Sequence, residues 1–346
     1  MENDIITPAR DRATETTTLS LFAALALILR CPHCEGVLAL ADRALTCPVG
    51  HAFDLAREGY VNLLQSRRGG DSKEMLRARR RFLDAGHYQP LSDLINRLVA
   101  EHHSDAPYIV LDAGCGEGYY LGRLSQHLAC PPARSPSSVR NPRPRRAPAC
   151  GCSATPHDPH AGAPVGEPLT LGQMDVSPIH TLGLDAAKDA ARMAAGRYRE
   201  TAFLVADLAE RMPLADEQIN ALLNIFAPRH VKEFSRILRP DGLLLSVIPE
   251  PEHLAEVCRL LPLLGIEDRK EEQVRAAMGQ EFVLTGTERL SYPMYLLGEA
   301  VGDLVGMTPS ARHLDAAARA DLAALGSAPV TVTASFLVLS FRRRYT

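Results

Sequence analysis

The sequence predicts an α/β fold, a mainly parallel sheet covered by helices, with a small cysteine- and histidine-bearing module ahead of it. Three observations carry that expectation. From Pro107 onward, short apolar runs alternate with helical patterns, the signature of strand–helix–strand units. "VLDAGCGEGYY" (Val110 to Tyr120) reads as a buried strand, a glycine-rich turn and the start of a helix. "CPHC…CPVGH" (Cys31 to His51) gathers three thiols and an imidazole in two close pairs. With 346 residues, 46% of them hydrophobic and 23% charged, the chain can bury a sizeable core.

In chain order, residues 1–30 form a polar tail ending in the apolar run "LSLFAALALIL" (Leu19 to Leu29). A bilayer span needs about 20 apolar residues, so this run is too short. Mixed acids and bases precede it and no small-residue cleavage site follows before Cys31, which argues against a signal peptide. An apolar helix packed on the body is expected, with no membrane partner. Residues 31–64 make the Cys/His module, and 65–105 a basic helical linker. The linker holds Arg67, Arg68, Lys73, Arg77, Arg79, Arg80 and Arg81 against Asp71 and Glu74. In it "SKEMLRARRRFLDAG" predicts a helix with Ser72 as N-cap and Gly86 as stop. Its charge run suits either a solvated face or phosphate contacts.

Residues 106–346 carry the alternation. "YIVLDAG", "HTLGLD", "AFLVADL", "INALLNIF" and "GLLLSVIPE" read as strands, and "YYLGRLSQHL", "AAKDAARMAAGRY" and "VKEFSRILRP" as helices. "VTVTASFLVLSFRRR" alternates like a strand and is expected to close the sheet's edge. Residues 130–177 interrupt the pattern. Ten of the 25 prolines lie between Pro131 and Pro168, and large apolar residues are scarce, so a disordered insertion is expected there.

Net charge is −3, which excludes a polycation; any nucleic-acid binding rests on local patches. The eight cysteines fit no disulfide framework, and a thiol-rich chain without a signal reads as cytoplasmic. Cys31, Cys34, Cys47 and His51 (C-x2-C-x12-C-x3-H) suit tetrahedral Zn2+. Four protein ligands leave no open position, so the zinc is expected to be structural. His33, inside the first pair, reads as exposed. A second cluster, Cys150, Cys152, His157 and His160, lies in the proline-rich stretch with no framework to hold it. Cys258, on a helical pattern, reads as core.

A bare G-x-G-x-G also suits a dinucleotide. The acid Asp112 ahead of Gly114, Gly116 and Gly118 sharpens it: D-x-G-C-G-x-G resembles motif I of class I S-adenosylmethionine methyltransferases. Asp185, ending the next strand, then stands where an acid takes the ribose hydroxyls, and Asp207 where that family often contacts adenine. More specific blocks follow. "CPHC…CPVGHAFDLAREGYVNLL", "GDSKEMLRARRRFLDAGHYQPL", "LDAGCGEGYY" and "GMTP" (Gly306 to Pro309) occur in this order, and the chain resembles the RlmA-type 23S rRNA (guanine-N1)-methyltransferases over 31–129 and 178–346.

The resemblance implies a Rossmann-like class I methyltransferase sheet with an N-terminal zinc-binding domain that helps bind RNA. It implies S-adenosyl-L-methionine as cofactor, a 23S rRNA hairpin loop of domain II as partner, N1 of a guanine as target, and a homodimer. It carries the zinc ligands over to Cys31, Cys34, Cys47 and His51. Tyr88, the residues Gly116, Glu117, Gly118 and Tyr119, Asp185 and His253 match family positions at or near the cofactor. Two departures stand out: the 130–177 insertion, and Asn220 where such enzymes often have Asp. The base pocket is expected around "NIFAPRH" (Asn224 to His230), with Phe226 stacking on the purine. His230 is a candidate general base beside its plainer reading as a turn histidine. A small-molecule methyltransferase, or an RNA-binding protein with a vestigial cofactor pocket, are the competing readings; the Cys/His module argues against the first.

Overall fold

The computed structural model of the chain describes residues 9–66, 70–103, 107–129, 179–260, 269–308, 322 and 328–344. The stretch 130–177, with its Cys/His cluster, lies outside the described residues, as do Arg67, Arg68 and Pro309.

Helix α1 (Ala9–Leu25) ends in the apolar run. Phe22, Leu25 and, just beyond, Leu29 are fully buried, in one cluster with Leu111, Leu182 and Leu204 of the main sheet. The apolar segment therefore packs on the body, as expected. No helix among the described residues is long and apolar enough to cross a membrane. Strands β1 (Ala39–Ala41), β2 (Ala44–Thr46) and β3 (Ala52–Asp54) form a small antiparallel sheet in the Cys/His module. Strand β4 (Tyr60–Asn62) leaves that module for the main sheet.

Helix α2 (Lys73–Asp84) starts as its sequence dictates: the Ser72 hydroxyl accepts from the Met75 amide at 3.2 Å, filling an otherwise orphaned donor. Gly86 turns the chain beyond it with φ 83°. Helix α3 (Gln89–His102) begins with Pro90 in its first turn. Then come β5 (Tyr108–Ala113), α4 (Tyr119–Ala129), β6 (Ile179–Asp185), α5 (Lys188–Arg197), β7 (Ala202–Val205), β8 (Ile219–Ile225), α6 (Val231–Ile237) and β9 (Leu238–Pro249). Helices α7 (Ala255–Leu260) and α8 (Lys270–Met278), strand β10 (Phe282–Leu296), helix α9 (Glu299–Gly306) and strand β11 (Val330–Arg343) complete the chain.

The main sheet has the order β10-β11-β9-β8-β5-β6-β7-β4. All neighbours from β4 to β9 are parallel, while β11 runs antiparallel to both β9 and β10. Strand order reverses at β5, with β6 and β7 to one side and β8 and β9 to the other. Such a reversal opens a crevice at the carboxyl ends of the strands, where α/β sheets bind ligands.

The tail strand corrects the expectation from sequence. β11 does not close the edge; it lies inside the sheet, with Phe336 and Leu339 fully buried. The edge is β10, whose Pro293 and the register shift between Leu284 and Gly286 are tolerable where one side of the strand needs no partner.

Candidate active site and metal centre

Two tight turns build the metal centre. At the first, the Cys31 amide donates to Gly36 O at 2.8 Å and the Glu35 amide returns to Cys31 O. At the second, the Gly50 amide donates to Cys47 O at 2.9 Å, with Gly50 at φ 96°. These turns bring the ligating atoms of Cys31, Cys34, Cys47 and His51 within 4.8 Å of one another. His51 presents Nδ1, 3.3 Å from Cys47 Sγ and 3.5 Å from Cys31 Sγ. The His51 amide also points at Cys47 Sγ, at 3.3 Å, stabilising negative charge on that sulfur. Three thiols and one imidazole at this spacing fit a closed tetrahedral zinc site. His33 is not a ligand; its ring packs on His51 and Phe53 at centroid distances of 4.9 and 5.8 Å.

A cavity of about 570 Å³ opens at the switch point, lined by residues from the ends of β5, β6, β8 and β9 and from α2, a size suited to one small ligand. Its wall includes Tyr88, Asp112, Gly114, Gly116, Glu117, Tyr119, Asp185, Phe226 and His253. Gly114 holds φ 93°, and a Cβ there would sit 2.4 Å from Ala227 Cβ, so the glycine lets the loop after β8 close over the turn. Asp185 braces the same turn: its carboxylate accepts from the Gly116 amide at 2.9 Å and the Ala187 amide at 2.7 Å.

Burial sets the electrostatics. Asp112 is 1% exposed, and desolvation, then the nearby Asp185 charge, pushes its carboxyl up to about 8. Asp112 Oδ1 and the hydroxyls of Tyr119 and Tyr120 have no partner among the described residues. Buried polar atoms of this kind facing a cavity call for a polar ligand. On the opposite wall, the Ser335 amide donates to His253 Nδ1 at 3.2 Å, so the proton of the neutral ring sits on Nε2 and points to the Tyr88 hydroxyl, also 3.2 Å away. Burial lowers His253 to about 4, keeping the ring neutral. The Tyr88 hydroxyl hydrogen is thereby free to donate elsewhere.

Comparison with known proteins gives this architecture a family. The family profile described as "RlmA, N-terminal", a zinc ribbon, matches residues 29–68. The 23S rRNA (guanine(748)-N(1))-methyltransferase of Streptomyces fradiae is 34% identical over 290 residues, 83% of this chain and 86% of that protein. A Micromonospora griseorubida protein, provisionally named a 23S rRNA (guanine-N(1)-)-methyltransferase, is 36% identical over 333 residues, 91% of this chain and 97% of its own. A Bacillus subtilis relative with the same provisional name is 29% identical over 90% of this chain and 96% of its own length.

The chain belongs to the 23S rRNA (guanine-N1)-methyltransferase family.

Family membership does not by itself position side chains, and the structure departs from the sequence expectations at several. Gly118 and Asp207 lie off the cavity wall. A Cβ on Gly118 would meet Ala194, Tyr198 and Phe203 between 2.9 and 3.2 Å, so this glycine serves the packing of α4 on α5. Asp207 instead caps its own loop, accepting from the Ala209 amide at 2.8 Å. His230 is also off the wall; its Nδ1 donates to Leu208 O at 3.0 Å, and it precedes α6 as the N-cap residue. Asn220 is spent on the fold, accepting from the Ile109 amide at 2.9 Å. Asn224 sits at the end of β8 instead and donates to Pro228 O at 2.9 Å.

The basic helix differs most from expectation in this family member. Arg79 pairs with Asp71 at 2.6 Å, Arg80 with the buried Glu117 at 3.2 Å, and Arg81 with Asp303, its Nε 2.9 Å from Oδ2. These cations hold α2 against the glycine turn and α9, so each already has a carboxylate partner. Lys73, Arg77 and Arg81 are the solvent-facing cations on the described helix, and of these Arg81 is tied to Asp303 and Lys73 lies 3.9 Å from Asp189. Sequence reasoning missed Asp71 and Arg79 as cavity residues, and held Arg229 only as part of the "NIFAPRH" stretch, with no role of its own. "GDS" and "ARR" lay in quoted blocks, but only the folded chain shows that they reach the pocket.

Proposed function

We propose that the protein transfers a methyl group from S-adenosylmethionine to N1 of a guanine in a hairpin loop of domain II of 23S rRNA. The observation that carries this reading is the 34% identity, over 83% of the chain, to a relative named for methylation of guanine 748 at N1. The cavity at the β5/β8 switch point and the thiol-rich centre agree with it. In this reading Cys31, Cys34, Cys47 and His51 hold a structural zinc. The turn Gly114 to Glu117, with Asp112, Asp185, Tyr88, Tyr119 and His253, holds the cofactor, whose sulfonium supplies an activated methyl group when bound. The chain divides into a zinc module (31–64), a linker (65–105) and a methyltransferase domain (106–346), and works as a homodimer on the hairpin.

The protein's own residues then have to present the base. Guanine N1 is buried in Watson–Crick pairing, so the nucleotide must be unpaired or extruded. Phe226 supports that step: it is 43% exposed, lines the cavity, and holds φ 53°. A bulky residue in left-handed backbone is strained, and such strain gathers at functional sites. With Pro228 stiffening the loop, the ring offers a stacking face for the purine. The zinc module and β4 add surface next to the same domain for the RNA stem.

Expression in a strain lacking the modification tests the reading. Primer extension on its 23S rRNA should show a new arrest at a domain II guanine, since N1 methylation blocks pairing. No arrest anywhere in that rRNA would sink it.

A further inference from the structure

Arg229 is a cavity cation with no carboxylate partner among the described residues. It lies on the wall beside Phe226 and Pro228, half-buried, with one long hydrogen bond to Ala227 O at 3.4 Å. Arg79, the other arginine there, is matched by Asp71 at 2.6 Å. The carboxylates of buried Asp112 and half-buried Asp185 lie at the ends of β5 and β6; Arg229 belongs to the loop after β8. A guanidinium cannot shed its proton to ease burial, so an unmatched one in a cavity calls for an acceptor on the ligand.

Resting on the function proposed above, we infer that Arg229 is a catalytic residue that hydrogen-bonds O6 of the target guanine and stabilises the base as its N1 proton leaves. Arginine to guanine O6 is the commonest base-specific contact, because the guanidinium fork matches that edge. Loss of the N1 proton spreads negative charge over N1 and O6, and a fixed cation at O6 meets that charge where it develops. The step balances without another protein base. The N1–H bond breaks and its proton passes to solvent water. The N1 lone pair forms the bond to the methyl carbon, and the electron pair of the broken carbon–sulfur bond stays on sulfur. This also explains how the reaction proceeds with His230 off the wall and His253 locked by Ser335 and Tyr88.

The test measures binding first. Hairpin RNAs carry either guanine or 2-aminopurine, which lacks O6, at the target, and are titrated with S-adenosylhomocysteine-loaded protein. The wild type should prefer guanine by about tenfold, the size of one good base contact. Arg229→Gln should bind both RNAs alike, Arg229→Lys should keep part of the preference, and all three should bind S-adenosylhomocysteine equally, which establishes a folded pocket. Single-turnover methylation by Arg229→Gln should keep climbing with pH after the wild-type rate has levelled. Retained preference in Arg229→Gln, equal loss for both RNAs, or no wild-type preference each overturns the inference. Wild-type methylation of the guanine hairpin is measured beforehand: its absence overturns the functional reading and this inference together, whereas its presence beside any of those three results overturns the inference alone.

Discussion

Phe226 and Asp112 each occupy a state that an isolated residue avoids. Phe226 accepts a left-handed backbone and leaves much of its ring in solvent, where burial would otherwise gain free energy. If the ring stacks on the target base, Phe226→Ala should weaken hairpin affinity by about 1–3 kcal/mol while S-adenosylhomocysteine binding is unchanged; parallel RNA and cofactor titrations measure this. Asp112 is held neutral by burial, its carboxyl pushed up to about 8 from an ordinary 3.8. A raised folded-state pKa means that its contribution to stability is fully present below about pH 4 and is lost as pH rises toward about 8. Asp112→Asn, neutral at every pH, should therefore gain stability on the cofactor-free wild type at pH 8 and not at pH 4. Urea midpoints at the two pH values check this, and a constant difference between the proteins would refute the assignment.

Among the elements, α4 and α5 show how closely the pocket's floor is packed. A Cβ on Gly122 would come 2.2 Å from the Tyr198 ring, so Gly122→Ala should cost about 1–3 kcal/mol by overpacking, seen as a lower chemical-denaturation midpoint. These glycines look alike in sequence, and only the fold separates Gly114, which admits the β8 loop, from Gly118, which admits α5. The strand–turn–helix around "VLDAGCGEGYY" was legible because its signals are local: an apolar run, a cluster of glycines, then helical spacing. The C-terminal strands were less so. β11 has the clear alternation and was expected at the edge, yet it inserts between β10, the strand just before it, and β9, some way back in the chain. β10 gave no strand signal because Gly286 and Pro293 interrupt it, and an edge position is what permits them. The inward placement of β11 matters to the site, since it puts Phe336 against Tyr88, His253 and Phe226 at centroid distances of 4.7 to 5.6 Å.

At the scale of the whole molecule, the metal module and the catalytic domain share their interior. Cys31, Leu38 and Leu45 belong to the same buried cluster as Leu111 and Leu182, Arg30 and Ala215 exchange backbone hydrogen bonds with Pro213 and Ile28, and β4 pairs with β7. The zinc site should thus act on the stability of the entire chain. Cys47→Ser should lower zinc content and shift one cooperative thermal transition downward, with S-adenosylhomocysteine still bound below it; a separate early transition would show an independent module. The module's ligands were legible from spacing alone, because four donors in two short turns need no long-range information. Its integration was not, because β4 and the apolar helix find their partners only in the folded sheet.

The most direct measurement incubates the purified protein with unmodified 23S rRNA and methyl-labelled S-adenosylmethionine, then digests the RNA to nucleosides for mass spectrometry. Label should appear in 1-methylguanosine, mapping to a domain II hairpin. Label in 2-methylguanosine or another base, or no transfer to the rRNA at all, would contradict the proposed function.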